Sequence, residues 1–464
     1  MPLVLGIPPS ILQLVQTGLL ERAFHDSLFP SLLFRAEAQF EEWDTNSGTE
    51  LFMTRPGLLA PITKALAAGT DPTPQSVSYE QWIARLDRFS GTIDTHMPTS
   101  AVSNSDQFLR NVQQLGMQAG QSLNRIPRNK LFTDYLSGQT CLTAVTAAVD
   151  LSIRVSSVNG FTDVITKGVQ VRPTPVGTSS PLTITVMNGA TPIVRNVIGV
   201  DLDNPNDPNG PGTLFLSAAI GAIVPVRSAV LSSAKPRVMR SGGGNNVDAI
   251  GASDIFQLQD AIQATNWLRR NNVPPHEDGT YHAHISTDGN NQIFTDPAFQ
   301  SLNRSLVDGE RYQEAFLGKI AGITFYMNNE CPDQFNAGAR TATGTLAAYS
   351  EDIGAETTNE QGVNIGRIIV TGRGALYEKG LDESAYVSEA GIQGKIGDFQ
   401  IVNAGVDVST ERIKLIVRAP VNRLQDTVST SWSITTSFAT PSDVTAGGAE
   451  RFKRAVCIEH ALDS

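Results

Sequence analysis

The stretch SNSDQFLRNVQQLGMQAGQSLNRIP, residues 103–127, decides how the rest of the chain is read. Phe108, Val112, Leu115, Ala119 and Leu123 recur at spacings of four, three, four and four, one narrow apolar stripe with a helical period. Ser103 with Asp106 has the form of a capping box, and Pro127 predicts the helix end. At ~1.5 Å per residue, such a helix is a rod roughly 30 Å long. NKLFTDYLSG, residues 129–138, adds about two more turns of helix, with Gly138 as the stop.

Upstream of this rod nothing closes on itself. Residues 1–43 are apolar pieces broken by Pro8, Pro9 and Pro30, with Phe24, Phe29, Phe34 and Phe40 scattered along them, which predicts an arm that packs on another surface. Two extended segments follow, Glu50–Arg55 and Tyr79–Met97, joined by the turn-rich tip AAGTDPTPQS. Neither alternates cleanly enough to bury one face within the chain, so their apolar residues need a neighbour. Downstream, from Leu151, the period changes to two. LSIRVSSVNGF, GVQVRP, PLTITVMNGATPIVRNVIGVD and GTLFLSA read as short strands with turns at Asn159-Gly160 and Asn188-Gly189, an all-β block reaching about residue 232. MRSGGGNN, residues 239–246, reads as a flexible joint.

ASDIFQLQDAIQATNWLRRNNVPP predicts a second helix, capped by Ser253, striped by Ile255, Leu258, Ile262 and Leu268, with Arg269 and Arg270 near its C-terminus and Pro274 as its stop. In YHAHISTDGNNQIFTDP, residues 281–297, YHAHIS reads as a strand, TDGNNQ as its turn, and Asp296-Pro297 as the start of a short helix DPAFQSLNRSL. KIAGITFYMNNE is a strand, residues 333–362 a polar loop, and VNIGRIIVTGRGALYEKGL a strand running through a Gly-rich turn into a helix. Residues 396–441 supply long antiparallel strands. The fold class expected is α+β.

The bulk numbers narrow the function. A chain of 464 residues calls for several domains or one elaborated architecture. With 17% charged residues against roughly 25% in typical soluble domains, it is suited to large contact surfaces. A formal charge of −11 argues against a dedicated nucleic-acid binder, because duplex affinity comes largely from Lys and Arg neutralising phosphates. Cys141, Cys331 and Cys457 form neither a disulfide framework nor a CxxC metal pattern. No basic residue precedes Arg22, as a secretory signal would need. The apolar run Ala218–Val226 is about half of the ~20 residues a membrane span requires. A soluble cytoplasmic protein without a membrane partner is expected.

Catalytic and metal motifs are incomplete along the chain. SGGGNN and TGRGAL lack the GK[ST] that holds phosphate and magnesium, no GxSxG elbow occurs, and SSAK (Ser232–Lys235) lacks companion motifs. DLDNPNDPNG offers Asp201, Asp203 and Asp207, but EF-hand positions six and twelve are Asn206 and Gly212, which leaves an Asx-rich surface turn or a looser calcium loop. His282 and His284 would share one face of a strand, with His276 and Asp288 near in sequence, yet zinc wants a third and a fourth ligand. The residues imply no metal, no cofactor and no enzyme.

The order of parts resembles the major capsid protein of tailed double-stranded DNA bacteriophages, the HK97-like fold. YEQWIARLDRFSGTIDTHMP followed by SNSDQFLRNVQQLG looks like that family's extended E-loop entering its spine helix. YHAHISTDGNNQIFTDPAFQSL followed by GKIAGITFYMNNE resembles its peripheral domain, IIVTGRGALYEKGL its axial domain, and IKLIVRAPVNRLQ with SWSITTSFATPSD its closing strands. The resemblance implies an N-terminal arm (1–46), an E-loop (47–104), a spine helix (105–140), a β-rich insertion or axial elaboration (141–236), peripheral helix and strands (237–332), an axial domain (333–390) and a returning C-terminal β segment (391–464). It implies pentamers and hexamers tiling an icosahedral shell around packaged DNA, in a virion assembled in the host cytoplasm. Scaffolding, portal and decoration proteins would be further partners, and DNA would be enclosed without sequence-specific binding.

On this resemblance Glu80, Arg85, Asp87 and Arg88 in the E-loop are candidate intersubunit ion pairs, and Lys64 is a nominal crosslinking lysine without a visible acid partner. An encapsulin-like compartment shell shares the fold, and a β-rich adhesin or glycan-binding protein is the alternative suggested by residues 151–232.

Overall fold

The computed structural model describes residues 23–24, 33–44, 47–56, 59, 62–67, 69–77, 79–102, 107–166, 170–304, 318–335, 363–381, 399–403, 413–418, 424, 426–443 and 451–462. The fold is mixed α+β. Strands β1 (Ala38–Glu42), β2 (Glu50–Pro56), β3 (Tyr79–Arg85) and β4 (Asp87–His96) lead to a short helix α1 (Met97–Val102) and the long α2 (Gln107–Tyr135). Then come β5 (Gln139–Cys141), β6 (Ser152–Val155), β7 (Asp163–Thr166), β8 (Gln170–Pro175), β9 (Leu182–Asn188), β10 (Thr191–Leu202), β11 (Gly212–Leu216), β12 (Ala229–Ser232) and β13 (Val238–Arg240). Helix α3 (Leu258–Arg270), β14 (Tyr281–Ile285), α4 (Thr287–Thr295) and α5 (Pro297–Arg304) follow. The described remainder is β15 (Lys319–Ile320), β16 (Ile323–Met327), β17 (Gln334–Phe335), β18 (Asn364–Thr371), β19 (Leu376–Gly380), β20 (Phe399–Asn403), β21 (Lys414–Arg418), β22 (Thr427–Ala439) and β23 (Ala455–Ala461).

The chain forms two compact units. The first gathers Met1–Phe52, Ile83–Lys130 and Leu376–Ala439. Its sheet runs β1-β19-β22-β21-β20, with β4 on the other side of β22. All ten residues of β4, Asp87 to His96, pair antiparallel with Thr427–Thr436, so this strand finds its partner inside its own chain, contrary to the neighbour expected from its sequence. Phe108, Val112, Leu115, Ala119 and Leu123 of α2 are fully or almost fully buried and meet Leu415, Val417, Val428, Trp432 and Ile434 of the sheet. The helix comes close enough that a Cβ on Gly91 would collide with the Gln118 and Trp432 side chains, which fixes glycine in β4.

Helix α2 does not stop at Pro127; it continues to Tyr135. Interior proline removes one backbone hydrogen bond and costs ~3 kcal/mol. The four-residue spacing from Leu123 through Pro127 to Leu131 and Tyr135 keeps one buried stripe running, and burying two more large side chains offsets that cost. Gly138, at φ +68°, then turns the chain away. Ser103 and Asp106 of the expected capping box lie outside the described residues, as do most of the N-terminal arm and the polar segment 336–362.

The second unit gathers Met53–Trp82, Leu131–Ala375 and Thr440–Ser464. One of its sheets, β5-β12-β9-β10-β11-β6, closes over Leu142, Ile153, Phe161, Ile184, Leu214 and Val230. The Asn188-Gly189 signal marks the β9–β10 hairpin, with Thr191 opposite Asn188. Another, β13-β23-β18-β14-β16-β15, packs against α3 through Leu258, Ala261, Ala264 and Leu268. Every residue of β23 is buried. That includes Glu459, held between Arg240 on β13 (2.9 Å) and Arg367 on β18 (3.2 Å). A four-stranded ribbon, β2-β3-β8-β7, completes the sheets of the described residues.

Four local expectations are corrected. Helix α3 begins at Leu258, not after Ser253, because Gln257 and Asp260 form the capping box and Asp296 accepts the Leu258 N–H at 2.9 Å. TDGNNQ is the first part of α4 rather than a turn, since Ser286 caps it by accepting the Gly289 N–H and Asn290, Gln292 and Ile293 are buried. The segment after TGRG is strand β19, paired antiparallel with β22, rather than a helix. MRSGGGNN places Met239 and Arg240 in β13, after which Gly242, Gly243 and Gly244 all take positive φ in an ordered turn.

Candidate assembly surface

The excursion between β2 and β3 is tied down at its root. Arg55, on β2, pairs with Glu80 of β3 at 3.0 Å and with Asp443. Its guanidinium also lies over the Trp82 ring, 5.5 Å from the centroid. Glu80 accepts from the Ser442 hydroxyl at 2.8 Å and from the Asp443 backbone N–H. Arg454 approaches Asp443 at 3.3 Å. Burial pushes the Asp443 carboxyl up to about 6, opposed by Arg55 and Arg454 and reinforced by the neighbouring Glu80 charge. Tyr79 and Glu80 also pair parallel with Gln170 and Val171 of β8.

Beyond this root the apolar side chains face solvent. Ile62 is 77% exposed, and Leu59 and Leu66 are each more than half exposed. Lys64 stands among them, also exposed. A cluster of charge fixes the root of the loop, and the described part of the loop carries exposed apolar side chains.

The four candidate ion-pair residues have different surroundings. Glu80 is buried and its carboxylate is used inside its own chain. Arg85 reaches Glu50 at 3.0 Å with both side chains well exposed. Arg88 donates to the Ser433 hydroxyl at 3.1 Å, and Asp87 lies opposite Thr436 with its side chain exposed. The partners of Glu80 that the sequence did not suggest, Ser442 and Asp443, lie more than 360 positions away along the chain, so no local pattern signals them.

A smaller apolar edge lies on the β5–β12 sheet. Thr146 bridges Val224 and the Gly221 N–H donates to the Ala148 carbonyl, which brings together Val145, Val149 and Ile223, all exposed. The run Ala218–Val226 is thus split: Ile220 and Val224 are fully buried while Ile223 faces out. In the Asp-rich turn, Asp203 pairs with Arg154, and Asp207 accepts the Asn209 N–H as an Asx turn does. Ser232 of SSAK is buried in β12 and accepts the Ala234 N–H.

His282 and His284 do share a face of β14, and that face meets other rings. His282 stacks on His276 at 3.9 Å and meets Tyr326 edge-on at 5.0 Å, while His284 stacks on Tyr326 at 5.8 Å. Asp278, 3.4 Å from His282, is partly raised by desolvation but held well below the usual carboxylate range by Thr280, His282 and Lys319. Asp288 sits exposed in the first turn of α4. Burial raises the Cys141 and Cys457 thiols, and none of Cys141, Cys331 and Cys457 is in a disulfide. No helix among the described residues is long and apolar enough to cross a membrane.

No known protein-family profile matches the sequence, and no curated protein does. Among solved structures, the chain is similar to the capsid of the cyanophage P-SCSP1u at 13% identity, covering 93% of this chain and 89% of that one with a TM-score of 0.46. It is similar to the capsid of Ralstonia phage GP4 at 10% identity, covering 95% and 91% with a TM-score of 0.45. The head structure of Helicobacter pylori bacteriophage KHP40 is similar at 8% identity, covering 92% and 91% with a TM-score of 0.45.

Proposed function

We propose that the chain is a shell-forming subunit, the major capsid protein of a tailed double-stranded DNA bacteriophage, with an HK97-like arrangement of arm, E-loop, spine helix, peripheral and axial domains. The observation that carries this reading is the excursion between β2 and β3: rooted by Arg55, Glu80 and Asp443, it exposes Leu59, Ile62 and Leu66. Apolar surface on a loop with a fixed root is suited to lie across a second copy, and closed symmetric assembly supplies that copy. In this reading α2 is the spine, residues 47–104 the E-loop, 141–236 an elaboration of the basic fold, and 391–464 the returning β segment.

Pentamers and hexamers of this subunit enclose DNA without reading its sequence, in a virion assembled in the host cytoplasm. Arg85, Asp87 and Arg88 remain as candidate charges between subunits; the Glu80 carboxylate is already engaged in the root of the loop. Exposed pairs contribute only ~0–1 kcal/mol each, so the apolar loop contacts carry association.

Size-exclusion chromatography followed by negative-stain microscopy of the purified protein tests the proposal, with capsomers or closed shells as the expected result. A species that stays monomeric across salt, pH and concentration overturns it. Shells whose contents are protein and not DNA would assign the chain to a compartment shell of encapsulin type.

A further inference from the structure

The sequence holds three Asn-Gly pairs, at 159–160, 188–189 and 209–210, and the fold treats them differently. An asparagine followed by glycine carries its own nucleophile. The glycine nitrogen can close on the asparagine Cγ to form a cyclic imide, because glycine has no side chain to block the approach and its backbone rotates freely into it. The reaction therefore depends on whether the fold leaves that nitrogen free and that backbone room to turn.

Asn159 is held on several sides. Its Nδ2 donates to the Thr133 carbonyl at 2.7 Å, its carbonyl accepts the Gly138 N–H at 2.8 Å, and a Cβ on Gly160 would lie 2.3 Å from the Gly138 nitrogen. At Asn209 the nucleophile itself is engaged: the Gly210 N–H donates to the Asp207 carbonyl at 3.2 Å, and Gly210 is buried against the Asp207 carboxylate. Asn188 differs from both. It ends β9 opposite Thr191, and Gly189, at φ +59°, is the first central residue of an exposed two-residue hairpin turn. A Cβ on Gly189 would meet nothing within 4 Å beyond its chain neighbours, and among the described residues the Gly189 N–H donates no hydrogen bond. The Asn188 side chain makes one, from Nδ2 to the Ile223 carbonyl at 3.2 Å, exposed, so that water can replace it.

We propose that Asn188 is a site of spontaneous deamidation, a modification independent of the shell reading, in which the Gly189 nitrogen attacks the Asn188 Cγ. The N–Cγ bond forms, the Cγ–Nδ2 bond breaks, and the proton of the Gly189 N–H leaves with the amide as ammonia. Water then opens the imide at either carbonyl, giving aspartate or isoaspartate. The sum is amide plus water to carboxylate plus ammonia, with nothing oxidised or reduced. The product loses the donor to Ile223 and gains a negative charge beside it. Residues 142–149 and 216–226, which meet at the apolar edge of Val145, Val149 and Ile223, contain no charged residue, so the new carboxylate stands beside segments that have no charge of their own.

The test incubates the purified full-length chain and its N188Q variant at neutral and mildly alkaline pH, with wild-type protein unfolded in urea alongside. Mass spectrometry follows the three Asn-Gly peptides, and released ammonia is read on the same samples. In the folded wild type the 188–189 peptide should convert first, at a rate that rises with hydroxide concentration, while the 159–160 and 209–210 peptides keep their amides. In urea all three should convert at comparable rates, and folded N188Q should lose the early release of ammonia. A 188–189 peptide that keeps its amide in the folded chain while it converts in urea, or three peptides that convert together in the folded chain, overturns the inference.

Discussion

Strand β23 and the loop between β2 and β3 treat their apolar residues in opposite ways. All seven residues of β23 are buried, with β13 on one side and β18 on the other, and even its Glu459 is enclosed between two arginines. The loop fixes its root with a comparable set of charges, Arg55, Glu80, Asp443 and Arg454, and then leaves Leu59, Ile62 and Leu66 in water. The first region is satisfied within the fold. The second has a fixed origin and incomplete contacts, the combination expected of a surface whose partner is another molecule.

The sharpest way to break this contrast is at Glu459. Removing it with Glu459→Ala leaves two buried guanidiniums, Arg240 and Arg367, without their shared carboxylate, and should cost ~3–5 kcal/mol in denaturant unfolding. A loss below ~1 kcal/mol would mean the strand is not the enclosed element described.

The charges at the root of the loop predict a pH dependence of defined sign. Folded Asp443, near pH 6, lies above the ~3.9 of an unfolded aspartate, so the folded chain holds this proton more tightly. That contribution to stability is present below about pH 4 and is lost as pH rises through 6. Asp443→Asn removes the titration, so the stability of wild type minus variant should fall between pH 4 and 6 and level off above. Parallel profiles for the two proteins in urea melts would contradict the assigned environment.

Replacing Leu59, Ile62 and Leu66 together by Ser should move the unfolding midpoint of the unassembled chain very little, because exposed positions usually change stability by within ~0.5 kcal/mol. The same variant should fail to form capsomers by size exclusion. Assembly at the wild-type level would show that these side chains are not contact residues. The smallest effect is expected at Arg85→Ala, whose pair with Glu50 is exposed and worth at most ~1 kcal/mol in the isolated chain.

Periodicity made the long elements legible. The stripe from Phe108 to Leu123 is the face of α2 that is buried, and the Asn188-Gly189 hairpin follows its turn signal. What failed were boundaries decided by tertiary contacts. Pro127 reads as a stop, but Leu131 and Tyr135 continue the buried face; Ser253 reads as a cap, but the Asp260 and Asp296 carboxylates claim the helix start. TDGNNQ has turn composition, yet burial of Asn290 and Ile293 makes it helix.

The candidate surface was half legible. Its position in the chain follows from the extended segments and the Pro- and Gly-rich tip, and Glu80 stands in the expected set of ion pairs, but as a contact to another subunit. Ser442, Asp443 and Arg454 hold the same cluster from the far end of the sequence, where no spacing rule reaches.

In the proposed shell, the exposed side chains Leu59, Ile62 and Leu66 are covered by another copy of the chain. Negative-stain electron microscopy of the purified full-length protein, with size exclusion on the same preparation, tests it most directly. The account predicts ring-shaped capsomers or closed icosahedral shells; a uniform monomer under every salt, pH and concentration tried would contradict it.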